Sequence, residues 1–251
     1  MTYFVPYVSS MELFKDDCLV LRTPIKDDTF NYVLDTQFTE ENAREKIEFI
    51  RGLYKEKELP FSWWVGPEDA PTNLKDILLS CGFLPKEYDY GMYLPLEEFR
   101  ITKLSTIDIE RVVDTRGLRD FFSIYEQSGG SKDVFDSIFS HLSSESYDEG
   151  MPYGFYVGYR GKTPVVTGVS VISEQVAGIY YIITTPEERR KGYATEMMEH
   201  LLLFANADEC HTAVLQASEA GRHVYAKMGF RECGKFQEFC PKEYFSSTPG
   251  F

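Results

Sequence analysis

The residues best equipped for chemistry lie between positions 178 and 195. Gly178-Ile-Tyr-Tyr-Ile-Ile-Thr-Thr185 is an almost unbroken apolar run, as expected of a central strand covered on both faces. Pro186-Glu-Glu-Arg-Arg-Lys-Gly-Tyr-Ala-Thr195 follows at once, and Met197, Met198, Leu201, Leu202 and Ala205 then recur at helical spacing. A strand, a basic turn with one glycine, and a helix make an anion site. The first amides of a helix have no internal acceptor, its dipole favours negative charge there, and a residue without a Cβ lets a phosphate approach the backbone. Arg189, Arg190 and Lys191 fall where that phosphate would sit. Cations are disfavoured at a helix N-terminus, so an anion explains three adjacent ones better than surface solvation does. A dinucleotide fold would want three glycines after the first strand of a βαβ unit, whereas one glycine stands here, late in the chain.

The rest of the composition narrows the partners. Lys and Arg number 26 against 40 Asp and Glu in 251 residues, a net charge of −14, which repels a nucleic-acid backbone. Hydrophobic residues at 43% and aromatics at 15% supply enough apolar area to exclude wholesale disorder. No apolar run approaches the roughly 20 residues that span a bilayer, and Met1-Thr-Tyr-Phe-Val-Pro-Tyr has no basic flank or signal core. A soluble, untargeted, cytoplasmic protein with no membrane partner is expected. Cys18, Cys81, Cys210, Cys233 and Cys240 form an odd, scattered set without C-x-x-C or a nearby histidine pair, and read as reduced thiols, with no metal.

Helical and extended patterns alternate along the chain, which gives an α/β fold with a mixed sheet. Thr39 is placed to cap a helix with Ala43, Ile47, Ile50 and Tyr54 on one face, and Phe61 to Val65 reads as a buried strand. Thr72 is expected to cap a second helix that stops at Gly82, followed by extended chain from Phe83 to Leu96. The pattern restarts near residue 97, with extended chain from Phe99 to Leu104 and helical stretches after Thr106 and near Ser131. The division expected is therefore 1–97 and 98–251. Phe155 to Tyr159 and Val165 to Ile172 form a hairpin around Arg160-Gly-Lys162.

The turn and its surroundings resemble the GNAT superfamily of acyl-CoA-dependent N-acyltransferases. The family's Arg/Gln-x-x-Gly-x-Gly/Ala signature is matched by Arg189, Gly192 and Ala194. Ala213-Val-Leu-Gln-Ala-Ser218, Glu-Ala-Gly-Arg-His-Val-Tyr225 and Ala-Lys-Met-Gly-Phe230 look like its fifth strand and following helix. The resemblance covers 98–251. Residues 1–97, with Trp-Trp-Val-Gly-Pro and Cys-Gly-Phe, look like the amino-terminal half of two-lobed members. That half has no counterpart of the glycine turn and is expected to be a degenerate lobe shaping the acceptor side.

The resemblance implies roles. Backbone amides from Arg190, Lys191, Gly192, Tyr193, Ala194 and Thr195 would hold the pyrophosphate of coenzyme A, and Ile182, Ile183 and Thr184 would pair with the pantetheine arm. A backbone N–H of that strand would polarise the thioester carbonyl. Tyr225 is the candidate general acid to the leaving thiolate, since a phenol in contact with sulfur can donate to it. Ser218 stands where many members place an asparagine on the pantetheine, and equally where a helix cap belongs. The carboxylate base of several members falls at about Gly178, which departs from that pattern. Glu174, Tyr180 or a water chain remain as alternatives, and His223 reads as a surface residue. The activity implied is acetyl transfer from acetyl-CoA to an amine in a ternary complex. The competing readings are an acyl-CoA-binding regulatory module without turnover and a donor other than acetyl. The acidic surface is compatible with a cationic small-molecule or peptide amine as acceptor.

Overall fold

The computed structural model describes residues 12–15, 17–101, 105–132, 136 and 153–244. In chain order the elements are β1 (Glu12–Lys15), β2 (Leu19–Arg22), β3 (Tyr32–Leu34), α1 (Glu40–Lys55), β4 (Ser62–Val65), α2 (Leu74–Ser80) and β5 (Phe83–Pro95). They continue with β6 (Asp108–Arg111), α3 (Thr115–Gln127), β7 (Tyr153–Arg160), β8 (Thr163–Ser173), β9 (Val176–Thr184), α4 (Tyr193–Ala207), β10 (Thr212–Ala217), α5 (Glu219–Lys227) and β11 (Arg231–Pro241).

All the strands join one eleven-stranded sheet in the order β1-β2-β3-β4-β11-β5-β10-β9-β8-β7-β6. The last strands of the two halves, β5 and β11, cross in its middle. Tyr90 of β5 faces Ala217 of β10 on one side and Lys235 of β11 on the other, and Phe239 of β11 faces Trp63 of β4. Each half therefore contributes its last strand beside the other half's strands. Each half also keeps one parallel pair, β3 with β4 and β9 with β10.

Packing follows the apolar patterns. Met197, Met198, Leu201 and Leu202 of α4 are fully buried against Val165, Val166 and Ala213 on one face of the sheet. Leu118, Phe121, Phe122 and Tyr125 of α3 cover Phe155 and Val169 on the other, joined there by Ile25 and Phe30 from the first half. Gly168 is where α4 presses closest, since a Cβ there would stand 2.8 Å from Met197 Cγ.

Helix α1 begins as expected, in a capping box where Thr39 Oγ1 accepts from Asn42 N and Asn42 Oδ1 accepts from Thr39 N. Thr39→Ala removes that cap at a cost of about 1 kcal/mol. A fall in Tm of roughly 2–4 °C is expected by calorimetry, with coenzyme A affinity unchanged.

Two boundaries differ from the sequence reading. The second helix starts at Leu74, with Asn73 rather than Thr72 in the cap position and no side-chain cap bond. No helix follows Thr106: β6 does, and α3 begins at Thr115, capped by Asp114. Thr106 serves the core of the second half instead, its N–H and hydroxyl both donating to the buried carboxylate of Glu196. Phe99 to Ile101 belong to no strand, Thr102 to Leu104 lie outside the described residues, and most of the stretch near Ser131 does too.

His200 of α4 gives the fold a pH dependence. It lies against Tyr156 and Phe204 at 5.6 and 5.7 Å, and burial holds its pKa below the usual 6.5. The unfolded chain then binds the extra proton more readily, so this contribution is complete above pH 6.5 and is lost as pH falls through the folded-state value. Urea unfolding across that window is expected to show a decline that His200→Phe flattens.

Candidate active site

Strands β9 and β10 run parallel only at their beginnings, where Thr212, Ala213 and Val214 face Val176, Ala177 and Gly178. Beyond Gly178 the register ends while both strands continue, β9 to Thr184 and β10 to Ala217. The two strands thus splay apart, leaving Ile179 to Thr184 with an edge that β10 does not cover. An extended ligand can add itself there through main-chain hydrogen bonds.

The exposed edge carries a bulge. Pairing with β8 slips between Val169–Tyr180 and Thr167–Ile183, and Tyr181 takes a left-handed φ of +52°. A bulky residue in that region is strained and persists only when its surroundings hold it. Thr167, fully buried, donates its hydroxyl to the Tyr181 carbonyl at 2.8 Å. A trans peptide places its N–H opposite its C=O, so the Ile182 N–H points away from β8, toward the splay.

At the open end of β9 the chain turns through Pro186 to Glu188 and enters α4. Arg190 (φ +63°) and Gly192 (φ +95°) both lie in the left-handed region, which curls successive amides inward. Gly192 occupies the cap position of α4 without any side-chain cap, and the first helical bond is Glu196 N–H to Gly192 C=O at 3.1 Å. The amides of Tyr193, Ala194 and Thr195 thus precede any helical acceptor. Nothing lies within 4 Å of a Cβ built on Gly192, so the space before these amides is open.

The three cations are not equivalent. Lys191 Nζ pairs with the buried carboxylate of Glu188 at 2.9 Å, which also takes Arg160 at 2.8 Å. Arg189 Nε donates to Thr184 C=O at 3.3 Å, closing the turn on the strand. Arg190 is exposed. The sequence reading placed all three at the phosphate; the geometry brings Lys191 and Arg189 into the turn's own bracing.

The first half has the same strand, turn and helix order, and there it is sealed. After β3 the chain bonds to its own neighbour: Thr36 N–H to Asp69 Oδ1 and Ala70 N–H to Thr36 C=O, each 2.8 Å, with Gln37 bridging Ala70. The N-terminus of α1 is filled by Thr39 and carries Glu40 and Glu41. Of these two turns, the one before α4 alone leaves its helix without a side-chain cap.

Tyr225 of α5 is half-buried, with its ring 6.0 Å from Phe230, and it packs on the same core as Ile182. Burial pushes its phenol up to about 12, so it stays protonated at any ordinary pH. Ser218 caps α5, accepting from Gly221 N–H at 3.3 Å, which leaves its own hydroxyl hydrogen to donate. Gly178 supplies no carboxylate. Glu174 sits in the β8–β9 hairpin turn, at the end of β9 where that strand pairs with β10. Tyr180 packs into the α3 face, and burial raises its pKa. Among the described residues no cluster of histidine, cysteine and carboxylate could hold a metal, none of the five cysteines is in a disulfide, and no helix is long and apolar enough to cross a membrane.

Sequence reading missed Thr167, Glu188 and the bulge at Tyr181. Gly168, a glycine inside a strand pattern, was the one local sign of something unusual there.

Residues 118–230, from α3 to the end of α5 and Phe230, match the model of the acetyltransferase (GNAT) family. Solved structures share the fold over nearly the whole chain. One is described as a functionally unknown conserved protein from Staphylococcus epidermidis (TM-score 0.72, 16% identity, 96% of this chain and 98% of that one). Another is a GCN5-related N-acetyltransferase from Kribbella flavida (TM-score 0.70, 13% identity, 94% and 91%). A third is a tandem GNAT protein from the clavulanic acid biosynthesis pathway (TM-score 0.60, 10% identity, 95% and 85%). No curated protein matches the sequence. Mixed sheet and helices thus form the fold shared with these GNAT structures.

Proposed function

We propose that the protein moves an acetyl group from acetyl-CoA directly to a primary amine while both are bound. Residues 98–251 form the catalytic half, and 1–97 form a degenerate lobe on the acceptor side. The observation that carries this reading is the uncapped entry to α4 at the open end of the β9–β10 splay. A diphosphate fits the amides from Arg190 to Thr195, and a pantetheine arm fits the edge at Ile182, Ile183 and Thr184. Ser218 can donate one further bond to that arm.

In the reaction the amine nitrogen forms the new C–N bond and gives up one proton to solvent. The C–S bond breaks, and the thiolate receives its proton or a hydrogen bond from Tyr225. With no carboxylate at Gly178, the amine must arrive neutral or lose its proton through water. A cationic acceptor suits the net charge of −14, and cysteines outside any disulfide suit a reducing cytoplasm.

Incubation with acetyl-CoA and a panel of small-molecule and peptide amines is expected to release free thiol, with calorimetric binding of coenzyme A. Binding without release across the panel would favour a regulatory acyl-CoA sensor, an idea the missing carboxylate keeps in play. Release only with longer acyl thioesters would change the donor. Absence of binding at millimolar coenzyme A would end the reading.

A further inference from the structure

We propose that Thr167 of β8 is a positioning residue for acyl transfer, setting through the Tyr181 bulge the direction of the one amide that meets the thioester oxygen. This rests on the reading of the splay as an acyl-thioester site.

Tyr181 holds a left-handed φ of +52° where β-strand geometry would otherwise continue, and such outliers survive only where neighbouring structure over-determines them. The Thr167 hydroxyl supplies that constraint, donating to the Tyr181 carbonyl at 2.8 Å from a side chain with no exposed surface. Its reach extends to the Ile183 carbonyl at 3.5 Å, across the slip in register. Next to it Gly168 lets Met197 and Leu201 of α4 press directly on the strand, so β8 has little room to shift at this point. The Tyr181–Ile182 peptide plane is thus pinned on its carbonyl side, and its N–H faces the uncovered edge. Preorganised donors of this kind act by where they point before the reaction begins. Any other peptide orientation at the bulge would leave that edge without a donor at Ile182.

Thr167→Val keeps the shape of the side chain and removes the hydroxyl; Thr167→Ser keeps the hydroxyl; Thr167→Ala is carried alongside in case valine does not fold. The readout that a purely structural role would not move is the infrared carbonyl band of bound acetyl-CoA labelled with carbon-13 at the acetyl carbonyl. In the wild type and Thr167→Ser the band is expected below that of the free thioester, and in the valine and alanine variants it returns toward the free position. With any amine the wild type accepts, kcat is expected to fall on the order of tenfold to a hundredfold in the variants lacking the hydroxyl, with coenzyme A affinity within about threefold. Wild-type band position and kcat in a folded Thr167→Val or Thr167→Ala protein overturn the proposal alone. Failure of the wild type to bind acetyl-CoA overturns the underlying reading, and this one with it.

Discussion

Gly192→Asp is expected to abolish coenzyme A binding in a protein that still folds, with a modest fall in Tm. The left-handed φ of +95° at this position strains any side chain, at a cost of about 1–3 kcal/mol, with aspartate among the less disfavoured, and open space surrounds a Cβ there. A carboxylate before α4 adds favourable charge to the helix dipole and repels a diphosphate. Losing two charge-assisted amide bonds at about 1.5–3 kcal/mol each raises Kd by roughly 10²–10⁴. Titration calorimetry and thermal melting on the same preparation separate the two effects. A dissociation constant within threefold of wild type would falsify the cradle. Reduced binding with a collapsed Tm would instead trace the loss to misfolding.

This substitution would convert the second half into what the first half already is. Both halves run strand, turn, helix and parallel strand, yet only one turn leaves its helix uncapped. In the first half the equivalent opening is stitched by Asp69 and Ala70, with the Trp63 indole donating to Thr36 Oγ1 at 3.0 Å behind it. That half is joined to the second through the sheet and an ion pair. Strands β5 and β11 lie side by side at the centre of the sheet, and Arg51 of α1 clamps Glu243 through a bond of 2.9 Å from its Nε and one of 2.6 Å from its Nη2.

Legibility in the sequence tracked how local each determinant is. The turn at 186–195 could be read because glycine, cations and helical periodicity all fall within about three helical turns of one another. Thr39 could be read as a cap because its partner Asn42 is three residues away. The passage of β5 between β10 and β11 has no local signal, since β propensity says that a segment pairs but not with what. Thr106 was misread for the same reason. A threonine followed by Ile-Asp-Ile-Glu has the look of a helix start, but its hydroxyl is claimed by Glu196, 90 residues away. The Tyr181 bulge is set jointly by Thr167 and by α4 pressing at Gly168, so no reading of β9 by itself could have located it.

Tyr225→Phe is expected to lower kcat by about 10–100-fold with coenzyme A affinity intact, an effect smaller than full general-acid catalysis usually gives. The reason is the phenol itself. Burial raises it to about 12, while a thiolate takes up a proton at roughly 8.5 on reference values, so complete proton transfer in the ground state runs uphill by several kcal/mol. In the proposed reaction Tyr225 is therefore expected to act mainly as a hydrogen-bond donor to sulfur as its charge develops, a charge-assisted bond of about 1.5–3 kcal/mol. The phenylalanine ring keeps the contact with Phe230 and the core beside Ile182, so folding is preserved. The pH dependence follows with a definite sign. In the wild type kcat/KM rises with pH as the acceptor amine loses its proton, and because the phenol stays protonated until about 12, no falling limb from Tyr225 is expected below about pH 10. A decline setting in near pH 8 that disappears in Tyr225→Phe would mean the phenol ionises far more readily than its burial allows, and the hydrogen-bonding role would give way to true acid catalysis.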